Sequence, residues 1–139
     1  MRPTPEQLAE VPLFESLSAN ALNAIATLSE LRREDAGAVL VGEGAPGYSL
    51  FVIESGSADV SRGGETLASL GPGEFFGEMA LLGDGVRIAT VTAASPVSLI
   101  VMLGSDFRVF ERSFPLVSAA LQQAMADRGE RSRPADDDV

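Results

Sequence analysis

Glu78 and Arg87 stand nine residues apart in FGEMALLGDGVRIATV (76–91), a mostly apolar stretch broken by glycines. A carboxylate accepts hydrogen bonds and repels anions, whereas a guanidinium offers a planar fork of donors that matches phosphate or carboxylate oxygens. One molecule carrying both a hydroxyl and a negative charge would engage the two together. Gly77 permits close backbone approach, and the residues after it can form one short helical turn, Glu78 to Leu82, whose N–H groups favour an anion. Either side chain by itself is an ordinary solvated charge. In register around this turn they describe a compact pocket for a ribose phosphate, with Glu78 on a sugar hydroxyl and Arg87 on the phosphate.

What the chain lacks narrows the chemistry. It has no histidine and no cysteine, and all ten of its basic residues are arginines. The usual general base, the thiolate nucleophile and the commonest zinc ligands are therefore missing. Without lysine there is no Walker-type phosphate loop and no Schiff base. Twenty acids against ten arginines give a formal charge of −10, so the surface should repel nucleic acid and anionic membranes. Catalysis by Asp, Glu, Ser or Thr stays open, but a binding role fits better and the chain is read as a non-enzyme.

These residues need a frame. At 139 residues, 45% of them hydrophobic, the chain is one ordinary domain with a real core. Its longest apolar run, PVSLIVML (96–103), is strand-sized and far short of the ~20 residues that cross a bilayer. The N-terminus does not have the form of a signal peptide, and the lack of cysteine agrees with a cytoplasmic protein. A polar segment (1–10) leads to a short apolar turn, VPLFESLS (11–18), and Ser18 is placed to cap a helix over 19–29. From about 31 to 103, short apolar runs alternate with glycine turns: AVLV (38–41), YSLFVIES (48–55), SADVS (57–61), TLASL (66–70), RIATVTAA (87–94) and VSLIVM (97–102). That spacing predicts about eight strands in an antiparallel sandwich or barrel, with Arg32 and Arg33 as exposed charges on a strand. Helix then returns, capped by Ser105 over 106–113 and opened by Pro115 over 116–128, where Val117, Ala120, Leu121, Ala124 and Met125 form an apolar stripe. Residues 129–139 read as a disordered polar tail.

Two features of 71–91 decide what the pocket resembles. Gly71 and Gly73 begin a dinucleotide fingerprint, but Phe76 takes the place of its third glycine and no strand–helix–strand unit surrounds it, so that reading fails. GEMALLGDGVRIATV, by contrast, resembles the phosphate-binding cassette of the cyclic nucleotide-binding domains found in catabolite-activator-type regulators, protein kinase A regulatory subunits and cyclic nucleotide-gated channels. The family motif runs roughly F-G-E-[LM]-A, a short variable loop, then R-[AST]-A-[ST]-V. Gly37, the EG at 43–44, GYSLFVIESG (47–56) and LGPGEFFGE (70–78) also fall where the family keeps its turns and strands, and the likeness covers about 11–128.

The resemblance implies a mainly β fold with flanking α: an eight-stranded antiparallel jelly roll (double-stranded β-helix) with N-terminal helices and C-terminal lid helices. It implies that Arg87 holds the cyclic phosphate with help from the amides of Ala80 and Ile88, and that Glu78 accepts the ribose 2′-hydroxyl. Gly77 and Met79 shape the wall, Ala89 and Thr90 close the cassette, and Leu121, Gln122 and Met125 are the nearest candidates to cover the purine. Members that prefer cGMP often carry Ser or Thr after the arginine; this chain has Ile88, which favours cAMP over cGMP. The expectation is a stand-alone bacterial receptor that needs no metal and no cofactor besides its ligand, and that signals to a separate effector protein as a monomer or homodimer. The alternatives are a ligand-free interaction module that keeps the fold, or a regulatory fragment of a larger channel or transcription regulator.

Overall fold

The computed structural model describes residues 1–45, 47, 49–77, 87 and 89–132. Helix α1 (Pro5–Ala9) opens on a reciprocal cap: Thr4 Oγ1 accepts from the Gln7 N–H at 3.1 Å, and Gln7 Oε1 accepts from the Thr4 N–H at 2.8 Å. A 3-10 turn over Pro12–Phe14 follows. Ser18 then accepts from the Ala21 N–H at 3.2 Å and starts α2 (Ala19–Leu28), in the role its position predicts.

Eight strands come next among the described residues: β1 (Glu30–Glu34), β2 (Val39–Val41), β3 (Ser49–Ser55), β4 (Ala58–Arg62), β5 (Glu65–Leu70), β6 (Phe75–Phe76), β7 (Thr90–Ala93) and β8 (Val97–Leu103). They form two four-stranded antiparallel sheets, ordered β1-β8-β3-β6 and β2-β7-β4-β5. Two helices close the chain, α3 (Gly104–Ser113) and α4 (Pro115–Ser132). The mainly β architecture with flanking helices agrees with the fold that the resemblance implies. No helix among the described residues is long and apolar enough to cross a membrane.

The first sheet is covered on both faces, and its sequence shows it. Alternate side chains of a strand point to opposite faces, so Leu50, Val52, Ile100 and Met102 pack with Leu8, Phe14, Ile25, Phe107, Phe110, Leu121 and Met125 of the helical layer. Their neighbours Phe51, Ile53, Leu99 and Val101 pack inward with Phe76, Val91 and Ala93. β8, central in this sheet, is buried at six consecutive residues, Val97 to Met102. Each large aliphatic side chain buried this way contributes about 1.5–3 kcal/mol, so this sheet is the stiff floor on which the site is built.

Several expectations shift in detail. Ser105 does not cap α3: β8 runs to Leu103 and turns straight into helix at Gly104, and no side chain caps the N-terminus. Of the strand expected over 87–94, β7 covers Thr90–Ala93, and the Arg87 backbone bonds to the loop at Gly44 and Ala45. β1 and the two-residue β6 lie outside the apolar runs. β1 is read through its arginines alone, since ELRRE shows no hydrophobic alternation, and it holds its place through pairing with β8 from Glu30↔Val101 to Glu34↔Val97. The buried face of α4 is Ser118, Leu121 and Met125, narrower than the predicted stripe, with Ala120 exposed. Ser118 is tolerated there because its hydroxyl donates to the Pro115 carbonyl at 3.0 Å. α4 also continues to Ser132, beyond residue 128.

Candidate functional site

Arg87 is 8% exposed, the most deeply buried charged side chain among the described residues. A guanidinium taken out of water needs partners to offset its desolvation, and the first sheet supplies them. Nη2 donates to the Ser49 carbonyl at 3.1 Å, at the start of β3, and Nη1 donates to the Gly77 carbonyl at 3.2 Å, just past β6. Cζ lies over the Phe51 ring, 5.7 Å from its centroid. Phe51 is itself stacked on Phe76, with centroids 4.9 Å apart.

The register of two strands, β3 and β6, sets this arrangement. β3 pairs with β6 at Phe51↔Phe76, which brings the Ser49 and Gly77 backbones to the same end of the sheet. Gly77 has φ of 81°, in the left-handed region that side-chain-bearing residues avoid. A Cβ there would stand 2.7 Å from both Arg87 Nη1 and the Ser49 carbonyl oxygen. So Gly77 turns the chain and also makes room for the arginine.

The backbone of Arg87 is anchored from the opposite side. Its N–H donates to the Ala45 carbonyl at 3.0 Å, and its carbonyl accepts from the Gly44 N–H at 2.8 Å. Thr90, three residues on, accepts from the Glu43 N–H at 3.0 Å, and Glu43 Oε1 accepts from the Gly63 N–H at 3.0 Å. The 42–45 loop is thereby tied to the segment that presents Arg87, and the β4–β5 turn is tied to that loop. An anion arriving at this place would meet a cation whose position is fixed before it binds. Five N–H donors allow a guanidinium to be gripped by carbonyls and to face a phosphate as well.

Of the residues predicted to line the site, the structure brings Gly77 and Arg87 into contact, with half-buried Thr90 pinning the adjacent loop. Ala89 is half-buried beside them in the chain. Glu78, Met79, Ala80 and Ile88 lie outside the described residues, as does the short helical turn expected from Glu78 to Leu82. The three lid candidates lie on α4. Leu121 and Met125, 5% and 1% exposed, belong to the helical layer on the outer face of the first sheet, while Phe51 and Arg87 lie at its inner side. Gln122 is half-buried next to them.

Sequence reasoning passed over Ser49, Phe51 and Gly47. Ser49 acts through its carbonyl, which no side-chain pattern reveals. Phe51 had a signal: period two puts it on the face of β3 opposite Leu50 and Val52.

Comparison with known proteins agrees with this geometry. Residues 31–113 match the family model described as "Cyclic nucleotide-binding domain". A cyclic nucleotide-gated potassium channel of Mesorhizobium japonicum is 37% identical over 121 residues, which are 87% of this chain and 34% of the channel. The cyclic AMP receptor protein of Thermus thermophilus is 34% identical over 122 residues, 84% of this chain and 56% of that protein. This chain therefore spans between a third and three fifths of the length of those two relatives. Among solved structures, the N-terminal domain of a Streptomyces coelicolor transcriptional regulator superposes with a TM-score of 0.75 at 30% identity, covering 91% of each chain. With its two antiparallel sheets, its flanking helices and a buried arginine at the place of the motif, the chain belongs to the cyclic nucleotide-binding domain family.

Proposed function

We propose that this chain is a cyclic-nucleotide receptor that takes cAMP in preference to cGMP and passes its state on through the C-terminal helix. Arg87 carries the proposal. A buried guanidinium already clasped by two carbonyls and an aromatic face is costly to build, and its return is a fixed anion site at the end of the first sheet. In this account the cyclic phosphate sits on Arg87 with the amides of Ala80 and Ile88, and the ribose 2′-hydroxyl is accepted by Glu78. Gly77 and Met79 form the wall, and Ala89 and Thr90 complete the loop. The relatives support the ligand class, since one is named a cyclic AMP receptor protein and another a cyclic nucleotide-gated channel. Ile88 provides no hydroxyl for a guanine, which is the reason for preferring cAMP.

A ligand shifts a conformational equilibrium only by its difference in affinity for the two states. Leu121 and Met125 form part of the helical core here, so closure over the purine would require α4 to slide or rotate on the outer face of the sheet. The output then goes to an effector: a separate protein, or further domains joined to this one as in the longer relatives, on the cytoplasmic side. The receptor is not an enzyme and needs no metal. Calorimetric titration of nucleotide-stripped protein with cAMP and with cGMP tests this. Saturable binding of cAMP, tighter than cGMP, is the expected result. Absence of binding to either would leave the fold as an interaction module.

A further inference from the structure

Gly47 and Gly77 both face the Arg87 guanidinium, but they are glycines for different reasons. Gly77 has positive φ, so backbone geometry alone favours glycine there. Gly47 is not among the positive-φ glycines of the described residues, so no left-handed backbone is seen to call for glycine there. What stands against a side chain at Gly47 is occupied space. A Cβ added there would overlap Nε and Cζ of Arg87 and lie 2.5 Å from Nη2, and these are its three nearest atoms. The nearest obstacle is thus the end of one long side chain.

We propose that Gly47 is a positioning residue for the anion-binding arginine. Its bare Cα forms one wall of a slot, Gly77 and the Ser49 carbonyl form another, and the Phe51 ring lies along the third. A side chain at position 47 evicts the guanidinium from this slot. That breaks its bonds to the Ser49 and Gly77 carbonyls and leaves it to sample rotamers outside the slot. The fold survives, because an arginine terminus moves far more easily than a backbone. The ligand side of the proposal rests on the cyclic-nucleotide assignment, whereas the coupling of Gly47 to Arg87 does not.

The test is a four-member urea unfolding series on ligand-free protein: wild type, Gly47→Ala, Arg87→Ala and the double variant. Gly47→Ala should lower the unfolding midpoint when Arg87 is present. In the Arg87→Ala background the loss should largely disappear, because the nearest atoms that a Cβ at 47 would overlap belong to the Arg87 side chain. An equal loss in both backgrounds, or no loss in either, overturns the coupling. Should Arg87→Ala not fold, arginine side-chain N–H exchange by NMR decides: protected Nη–H protons in wild type, lost in Gly47→Ala while β3 and β8 amides stay unchanged, support the slot, and their persistence overturns it.

Titration with cAMP then reads the consequence. Gly47→Ala should bind about 10-fold more weakly or worse, in line with the loss of one charged hydrogen bond, and Gly47→Val more weakly still. Wild-type affinity in both variants would overturn the positioning role. If the wild type itself binds no cyclic nucleotide, the receptor assignment fails and the ligand half of the proposal with it, while the unfolding series still decides the coupling.

Discussion

The Arg87 guanidinium carbon sits 5.7 Å from the centroid of the Phe51 ring, and Phe51 is stacked on Phe76 within 6° of parallel. The charge that would recognise an anion therefore rests on the aromatic part of the inner core. Stability and recognition share atoms here, and substitutions at the two sets of residues should be separable by size.

Phe51→Leu should keep most of the apolar contact and lose the cation–ring attraction, which is worth about 0.5–2 kcal/mol. Phe51→Ala, at a site 5% exposed, should cost about 3–5 kcal/mol of unfolding free energy. Urea denaturation of both, with cAMP titration of the leucine variant, measures the two effects. A leucine variant that folds normally and binds severalfold more weakly is the expected outcome.

Gly77→Ala combines a left-handed backbone with a Cβ held 2.7 Å from the Ser49 carbonyl oxygen. Unlike Gly47, part of the resistance here comes from main chain, the Ser49 carbonyl, which cannot swing aside as the arginine end can. Loss of about 1–3 kcal/mol of stability, present whether or not Arg87 is replaced, is expected from the φ strain alone. A thermal or chemical unfolding curve reads it directly.

Met125→Ala should cost about 2–5 kcal/mol, because Met125 is 1% exposed within the helical layer and its loss leaves a cavity against Phe14, Ile25 and Met102. Chemical unfolding checks this. Were Met125 only a ligand-covering residue, its truncation would leave the stability of the ligand-free protein unchanged.

Ser29 offers a change in the other direction. It ends α2, is 3% exposed, and its Oγ has no hydrogen-bond partner among the described residues while lining an apolar recess with Phe14, Leu50, Val52 and Phe107. Replacing an unsatisfied buried hydroxyl by hydrogen removes a desolvation penalty of about 1–3 kcal/mol, partly offset by the small void created. Ser29→Ala should therefore unfold at equal or higher urea concentration than the wild type.

Much of this fold is legible in the sequence where hydrophobic alternation and turn residues agree, as in β3, β8 and the Ser18-capped α2. It is not legible at β1, where charged residues pair with a buried partner strand and the information lies in β8. β6 is only two residues long, too short for any periodicity. The site divides in the same way. Arg87 and Gly77 stand out by residue type and spacing, and Thr90 by its place in the motif. The Ser49 carbonyl and the Gly44–Ala45 anchor are backbone contacts made across 38 and more than 40 residues of chain, which side-chain identity does not encode. Leu121 and Met125 show the converse: an apolar helical stripe is the same in sequence whether it covers a ligand or a sheet, and here it packs on the sheet.

The first measurement to make is calorimetric titration of nucleotide-stripped protein with cAMP and cGMP, beside Arg87→Ala. Charged hydrogen bonds are worth roughly 1.5–3 kcal/mol each, so loss of the guanidinium should weaken cAMP binding by ~100-fold or more. The receptor account predicts saturable cAMP binding in the wild type, weaker cGMP binding, and near abolition in the variant. Equal cAMP affinity in the wild type and Arg87→Ala, or no binding in either, would contradict it.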